Sequence, residues 1–158
     1  MLVMTNLAQI QAMLPGSMLI NASEIDAQQL NISGVGSNSR QITPGELFIA
    51  LSGERFDAHD FLSDATNAGA SAALISKKEK CPENLAAVCV TDTRVGLSAL
   101  AKAWRMQHSI PVALVTGSNG KTTVKEMIAS IFKAAVGDER TLVTKGNLNN
   151  DIGLPLTL

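Results

Sequence analysis

Residues 112–123, VALVTGSNGKTT, constrain the chain most tightly: an apolar stretch enters a turn with two glycines and leaves it through a lysine and two threonines. The pattern predicts a strand at 112–115, a tight turn, and a helix beginning near Lys121. Gly117 and Gly120 let the backbone curl so that successive N–H groups converge on an anion, and the helix start adds the positive end of its dipole. Lys121 is placed to reach the β- and γ-phosphates of a nucleotide, and the Thr122 hydroxyl to ligate Mg²⁺. Val115 stands where the common form of this loop has its first glycine, so the loop is a variant.

Around this cradle the chain alternates strand and helix, which predicts an α/β fold of two units divided near Thr91. In the first unit, residues 1–90, Thr5 is the expected cap of a helix carrying Leu7, Ile10 and Leu14, stopped by Pro15-Gly16. A weakly patterned stretch runs to Gly36. Thr43-Pro44-Gly45 suits a type II turn. Residues 46–51 then read as a buried strand, 60–68 as a helix stopped by Gly69, and 72–75 and 86–90 as further strands. The polar loop 52–59 is of the kind that carries function. Lys77, Lys78 and Lys80 read as a solvated turn.

Thr91 or Asp92 is the expected cap of the next helix, whose Leu97, Leu100, Ala101 and Trp104 share one face and read as core. In the second unit, residues 91–158, the helix after the cradle repeats Val124, Met127, Ile128, Ile131 and Ala135 and is expected to pack on the strand before it. A strand at 141–144 and an asparagine-rich loop at 145–151 follow. A parallel-sheet nucleotide-binding domain needs more strands than these, so the second unit reads as the truncated opening of one.

Thirteen basic against fourteen acidic residues give no field to draw in nucleic acid or an anionic membrane surface, so phosphate binding must be local. Cys81 and Cys89 have no metal-site spacing. No basic residue precedes Arg40 and no apolar run reaches the length of a membrane span, from which a cytoplasmic protein is expected.

Three stretches together resemble the Mur ligase family, the ATP-dependent amide ligases of peptidoglycan precursor synthesis. They are Ser39-Arg40 through Pro44-Gly45 and Leu47-Phe48 with the loop at 53–61, the cradle at 116–123, and GNLNNDIGLP at 146–155. The family's cradle has this short form, which accounts for Val115. The resemblance implies a small α/β domain holding the UDP part of the substrate, then a P-loop domain holding ATP and Mg²⁺. The ATP contacts would be Gly117, Ser118, Asn119, Gly120, Lys121, Thr122 and Thr123, with Lys121 catalytic and Thr122 on the metal. The substrate contacts would be Ser39, Arg40, Arg55, Phe56, His59, Asn147 and Asn150. At Asn38 the family often has an aspartate.

The first and third stretches point to the member that joins D-alanyl-D-alanine to UDP-N-acetylmuramoyl-tripeptide through an acyl phosphate. The family's Mg²⁺-binding glutamate, modified lysine and C-terminal domain would lie beyond Leu158, so the chain reads as a fragment, inactive alone and open to self-association. Two other readings stand beside this one: a sibling ligase adding the third peptide residue, and a non-enzymatic sugar-nucleotide binding module.

Overall fold

The computed structural model describes residues 3–53, 56–144, 146, 148 and 150–158. Two of the expected substrate contacts, Arg55 and Asn147, lie outside them. Strands β1 (Thr5–Asn6) and β3 (Asn31–Ile32) form a small antiparallel pair. The main sheet contains β2 (Met18–Ile20), β4 (Gly34–Gly36), β5 (Glu46–Ile49), β6 (Ala72–Ile75) and β7 (Ala87–Cys89) in the order β2-β7-β6-β5-β4. Strands β4 to β7 are mutually parallel and β2 runs antiparallel at the edge.

Alternation along the strands makes two apolar layers. Leu47, Ile49, Leu74 and Val88 face α1 (Leu7–Ala12), α2 (Glu24–Gln29) and α4 (Thr93–Met106). Phe48, Ala50, Ala73, Ile75 and Ala87 face α3 (Leu62–Asn67) through Leu62 and Ala65. Both faces of β5, β6 and β7 are therefore covered, whereas the edge strand β4 is half-buried. Helix α4 comes so close to the sheet that a Cβ on Gly96 would stand 3.1 Å from Val90 Cγ2 and 3.3 Å from Leu74 Cδ2.

Several local expectations take a different form. Asn6, not Thr5, caps α1: its Oδ1 accepts from the Gln9 N–H at 2.9 Å while the Gln9 side chain accepts from the Asn6 N–H, a reciprocal capping box. The weakly patterned stretch holds β2, α2, β3 and β4, with α2 started by a second capping box between Ser23 and Asp26. Asp92 caps α4, accepting from the N–H groups of Arg94 and Val95. Helix α4, assigned by the sequence to the second unit, sets Leu97 and Leu100 in the core of the first. Trp104 is half-buried beside His108, ring centroids 4.8 Å apart, rather than within that core.

Residues 112–115 and 141–144 form no ladder among the described residues, and Leu114 is 81% exposed. A strand exists only through its neighbours, and nothing described pairs with either segment. Helix α5 (Lys121–Val136) therefore does not pack on a strand: Ala129 is buried, but Val124, Met127, Ile131, Phe132 and Val136 are exposed.

Candidate functional site

The cradle keeps its local geometry without the strand. Gly120 takes a left-handed conformation (φ 73°, ψ 0°) directly before α5, and Gly117 also has positive φ, at 150°. Left-handed backbone is costly for a residue with a Cβ, which is why glycine stands at Gly120. No side chain caps α5, so its first N–H groups remain available at the positive end of a 16-residue helix. Lys121 folds back over the turn, its Nζ donating to the Gly117 carbonyl at 2.5 Å and the Ser118 carbonyl at 3.3 Å. Ser118, Asn119, Thr122 and Thr123 are exposed around it. Among the described residues no group of three or more His, Cys, Asp or Glu side chains could hold a metal ion. Oxygen donors of the kind a hard divalent cation takes are present on the exposed Ser118, Asn119, Thr122 and Thr123 side chains.

A second region lies at the carboxyl ends of the parallel strands, the edge at which open α/β sheets bind ligands. Residues 37–40 follow β4, Ser52-Gly53 follow β5, Ser76 follows β6, and Thr91 to Arg94 follow β7. Asn38 shapes the first of these loops: its Oδ1 accepts from the Arg40 N–H at 3.1 Å and its carbonyl from the Gln41 N–H at 2.9 Å. The amide thus supplies the turn-forming oxygen that an aspartate would, and Arg40 is presented exposed. Ser52, Gly53, Ser76, Thr91 and Arg94 line an open crevice of about 570 Å³.

Within the loop after β5, Phe56 is exposed and stacks on Phe61 at 5.4 Å. His59, expected as a substrate contact, is instead enclosed. Its Nδ1 lies 2.7 Å from Asp57 Oδ1, and its Nε2 accepts from the Ser76 N–H at 2.9 Å. Lys77 and Lys80, far from being a merely solvated turn, each place Nζ 2.8 Å from Asp57 Oδ2, and Lys80 also reaches Asp60 at 2.5 Å. Burial pushes the Asp57 carboxyl up, but hydrogen bonds from Lys77, Lys80 and His59 together outweigh it and hold the group well below the usual carboxylate range.

Asn150 also serves its own turn. Its Oδ1 accepts from the N–H groups of Ile152 at 3.3 Å and Gly153 at 2.7 Å. The segment it organises returns to the first unit, where Ile152 and Leu156 pack on the apolar cluster and Asp151 meets Arg94 at 3.2 Å. Leu156 and Asn38 line one cavity of about 240 Å³. The segment after Asn150 therefore lies against the first unit, while among the described residues no side-chain hydrogen bond or ion pair joins the cradle to that segment. Sequence reasoning missed Asp57, Ser52, Ser76 and Arg94; only the polar loop at 52–59 signalled any of them.

Residues 31–108 match the model described as Mur ligase family, catalytic domain, and residues 115–158 match Mur ligase middle domain. The UDP-N-acetylmuramoyl-tripeptide–D-alanyl-D-alanine ligase of Escherichia coli K12 is 45% identical over 135 residues, 85% of this chain and 29% of that protein. A crystal structure of MurF from Acinetobacter baumannii superposes with a TM-score of 0.83 at 35% identity, covering 97% of this chain and 32% of that one. MurF from Thermotoga maritima in complex with ADP gives 0.66 at 34% identity, covering 78% and 28%. The chain thus spans less than a third of the length of the relatives it matches.

Proposed function

The chain belongs to the Mur ligase family, and from that membership we propose that it carries the sugar-nucleotide unit and the opening of the ATP unit of a ligase joining D-alanyl-D-alanine to UDP-N-acetylmuramoyl-tripeptide. We put the division between the units after Met106, a reading supported by Leu97 and Leu100 of α4 packing in the core of the first sheet. The protein is assigned to the cytoplasm, where ATP is available; no helix among the described residues is long and apolar enough to cross a membrane.

An amine cannot displace oxide from a carboxylate, so the peptide's terminal carboxylate must first gain a leaving group. Bound ATP supplies it, by transferring a phosphoryl group to make an acyl phosphate. Toward that step the chain contributes the N–H groups at the start of α5, which favour an anion, and the Lys121 ammonium, which neutralises charge on the moving phosphoryl. Thr122 would hold Mg²⁺ through its hydroxyl. Ser39 and the exposed Arg40 guanidinium suit the diphosphate of the sugar nucleotide, and Phe56 offers an exposed aromatic face.

The observation that carries this reading is the left-handed Gly120 with Lys121 at the head of α5, in a chain 45% identical to a ligase of this specificity. The test is phosphate release by the full-length protein given ATP, Mg²⁺, UDP-N-acetylmuramoyl-tripeptide and D-alanyl-D-alanine. Release should need all four. Turnover with the dipeptide precursor and a single amino acid instead would assign the sibling reaction, and binding without turnover would assign a non-enzymatic module.

A further inference from the structure

We propose that the crevice lined by Ser52 and Ser76 takes part of the sugar nucleotide and that His59 is its positioning residue, acting as a neutral imidazole locked in one tautomer and never touching the ligand. The inference rests on the ligase reading for the ligand's identity, and on hydrogen-bond geometry for the role.

A neutral imidazole has one donor and one acceptor nitrogen. Nε2 accepts from the Ser76 N–H at 2.9 Å, so it bears no proton. The proton then sits on Nδ1, which faces Asp57 Oδ1 at 2.7 Å, and an ionised carboxylate can only accept. The His59 side chain has no exposed surface, so both ring nitrogens are committed and neither is free for a ligand. What the ring does is bridge the turn after β5 to the residue after β6.

Asp57 extends the bridge. Its Oδ2 receives Lys77 and Lys80 from the β6–β7 connection, and its Oδ1 accepts from Ser52 Oγ at 3.0 Å. That bond uses the Ser52 proton, and the same oxygen stands 3.3 Å from His59 Nδ1, so the carboxylate and the ring together fix the Ser52 side chain. Ser52 and Ser76, the two residues tied through this network, both line the crevice wall. The separation and orientation of those walls are therefore set by His59 from behind. A ligand held between them should lose affinity when the ring is removed, with the chemistry at the cradle, which shares none of these residues, left alone.

The experiment combines kinetics of the full-length ligase with the nitrogen NMR spectrum of His59 in the unaltered protein. His59→Ala should raise KM for UDP-N-acetylmuramoyl-tripeptide about tenfold, the factor associated with one buried hydrogen bond, with kcat and the KM for ATP within about twofold. His59→Gln, whose amide oxygen can take the place of Nε2 as acceptor for Ser76, should recover most of the loss, whereas His59→Asn should not. The spectrum should show a protonated Nδ1 and a bare Nε2 at neutral pH, a result that does not depend on any variant folding. An unchanged KM in His59→Ala, a proportional fall in kcat alone, or a protonated Nε2 would each overturn the role. Unaltered enzyme without ligase activity would instead overturn the ligase reading.

Discussion

Thr93 Oγ1 donates to the Ala50 carbonyl at 2.8 Å, tying the first turn of α4 to the carboxyl end of β5. Thr93 is buried, so the bond is shielded from water, and it stands at the lining of the crevice. Thr93→Val keeps the shape but removes this donor and should lower stability by about 1–3 kcal/mol. A urea midpoint equal to that of the unaltered protein would show that the carbonyl finds another donor.

Features written locally were legible in the sequence, and those written between distant segments were not. Ala72–Ile75 read as a strand because four buried apolar residues stand between a helix-stopping glycine and a basic run. The turn at Thr43-Pro44-Gly45 was equally plain, with Gly45 at φ 93° and the Glu46 N–H on the Thr43 carbonyl. Helix α2 is illegible from periodicity because it buries only Ala27, although Ser23 and Asp26 carry its capping box. Gly120 and Lys121 were legible for their chemistry, whereas the strand before them was not, because a strand depends on partners elsewhere. His59 stands out in the polar loop, but its acceptor role depends on Ser76, 17 residues away in sequence.

Lys121→Ala in the full-length enzyme should abolish ligation and leave the fold intact, since the side chain bonds only loop carbonyls and removing it exposes no core. Far-ultraviolet circular dichroism should match that of the unaltered enzyme while phosphate release disappears. Near-normal turnover would sink the assignment of the cradle. Gly120→Ala has room for its methyl, with nothing within 4 Å, but must hold φ 73°. It should cost about 1–2 kcal/mol in stability from the left-handed backbone alone.

Asp57 sets an acid limit on the first unit. Its folded-state carboxyl lies well below its ordinary value, because the bonds to Lys77, Lys80 and His59 outweigh burial. Above the unfolded-state value of about 3.9, both states are ionised and the stabilisation is complete. As pH falls below that value the unfolded chain takes up a proton that the folded chain refuses, so stability drains toward lower pH. Asp57→Asn should therefore melt below the unaltered protein at pH 7, and the gap should narrow between about pH 4 and pH 2. A gap that stays constant through that window would mean the carboxylate contributes through shape rather than charge.

Helix α5 should be the least protected long element of the chain. Val124, Met127, Ile131, Phe132 and Val136 leave its apolar side facing solvent, whereas the strands β5 and β6 are buried on both faces. Each large apolar side chain left in water forgoes roughly 1.5–3 kcal/mol of burial, and an isolated helix of this length is marginal without a packed face. Two outcomes relieve that exposure: local opening, or pairing of two copies through the helix and the neighbouring 112–115 segment. Hydrogen exchange on the 158-residue chain distinguishes them when run across a dilution series. In a monomer, amides at 121–136 should exchange far faster than those at 46–49 and 72–75. Protection that rises with concentration, alongside a doubled mass in solution, would identify self-association. Protection equal to that of the sheet in a monomer would show that burial is not what holds this helix, and would overturn the account of α5 given by its exposed face.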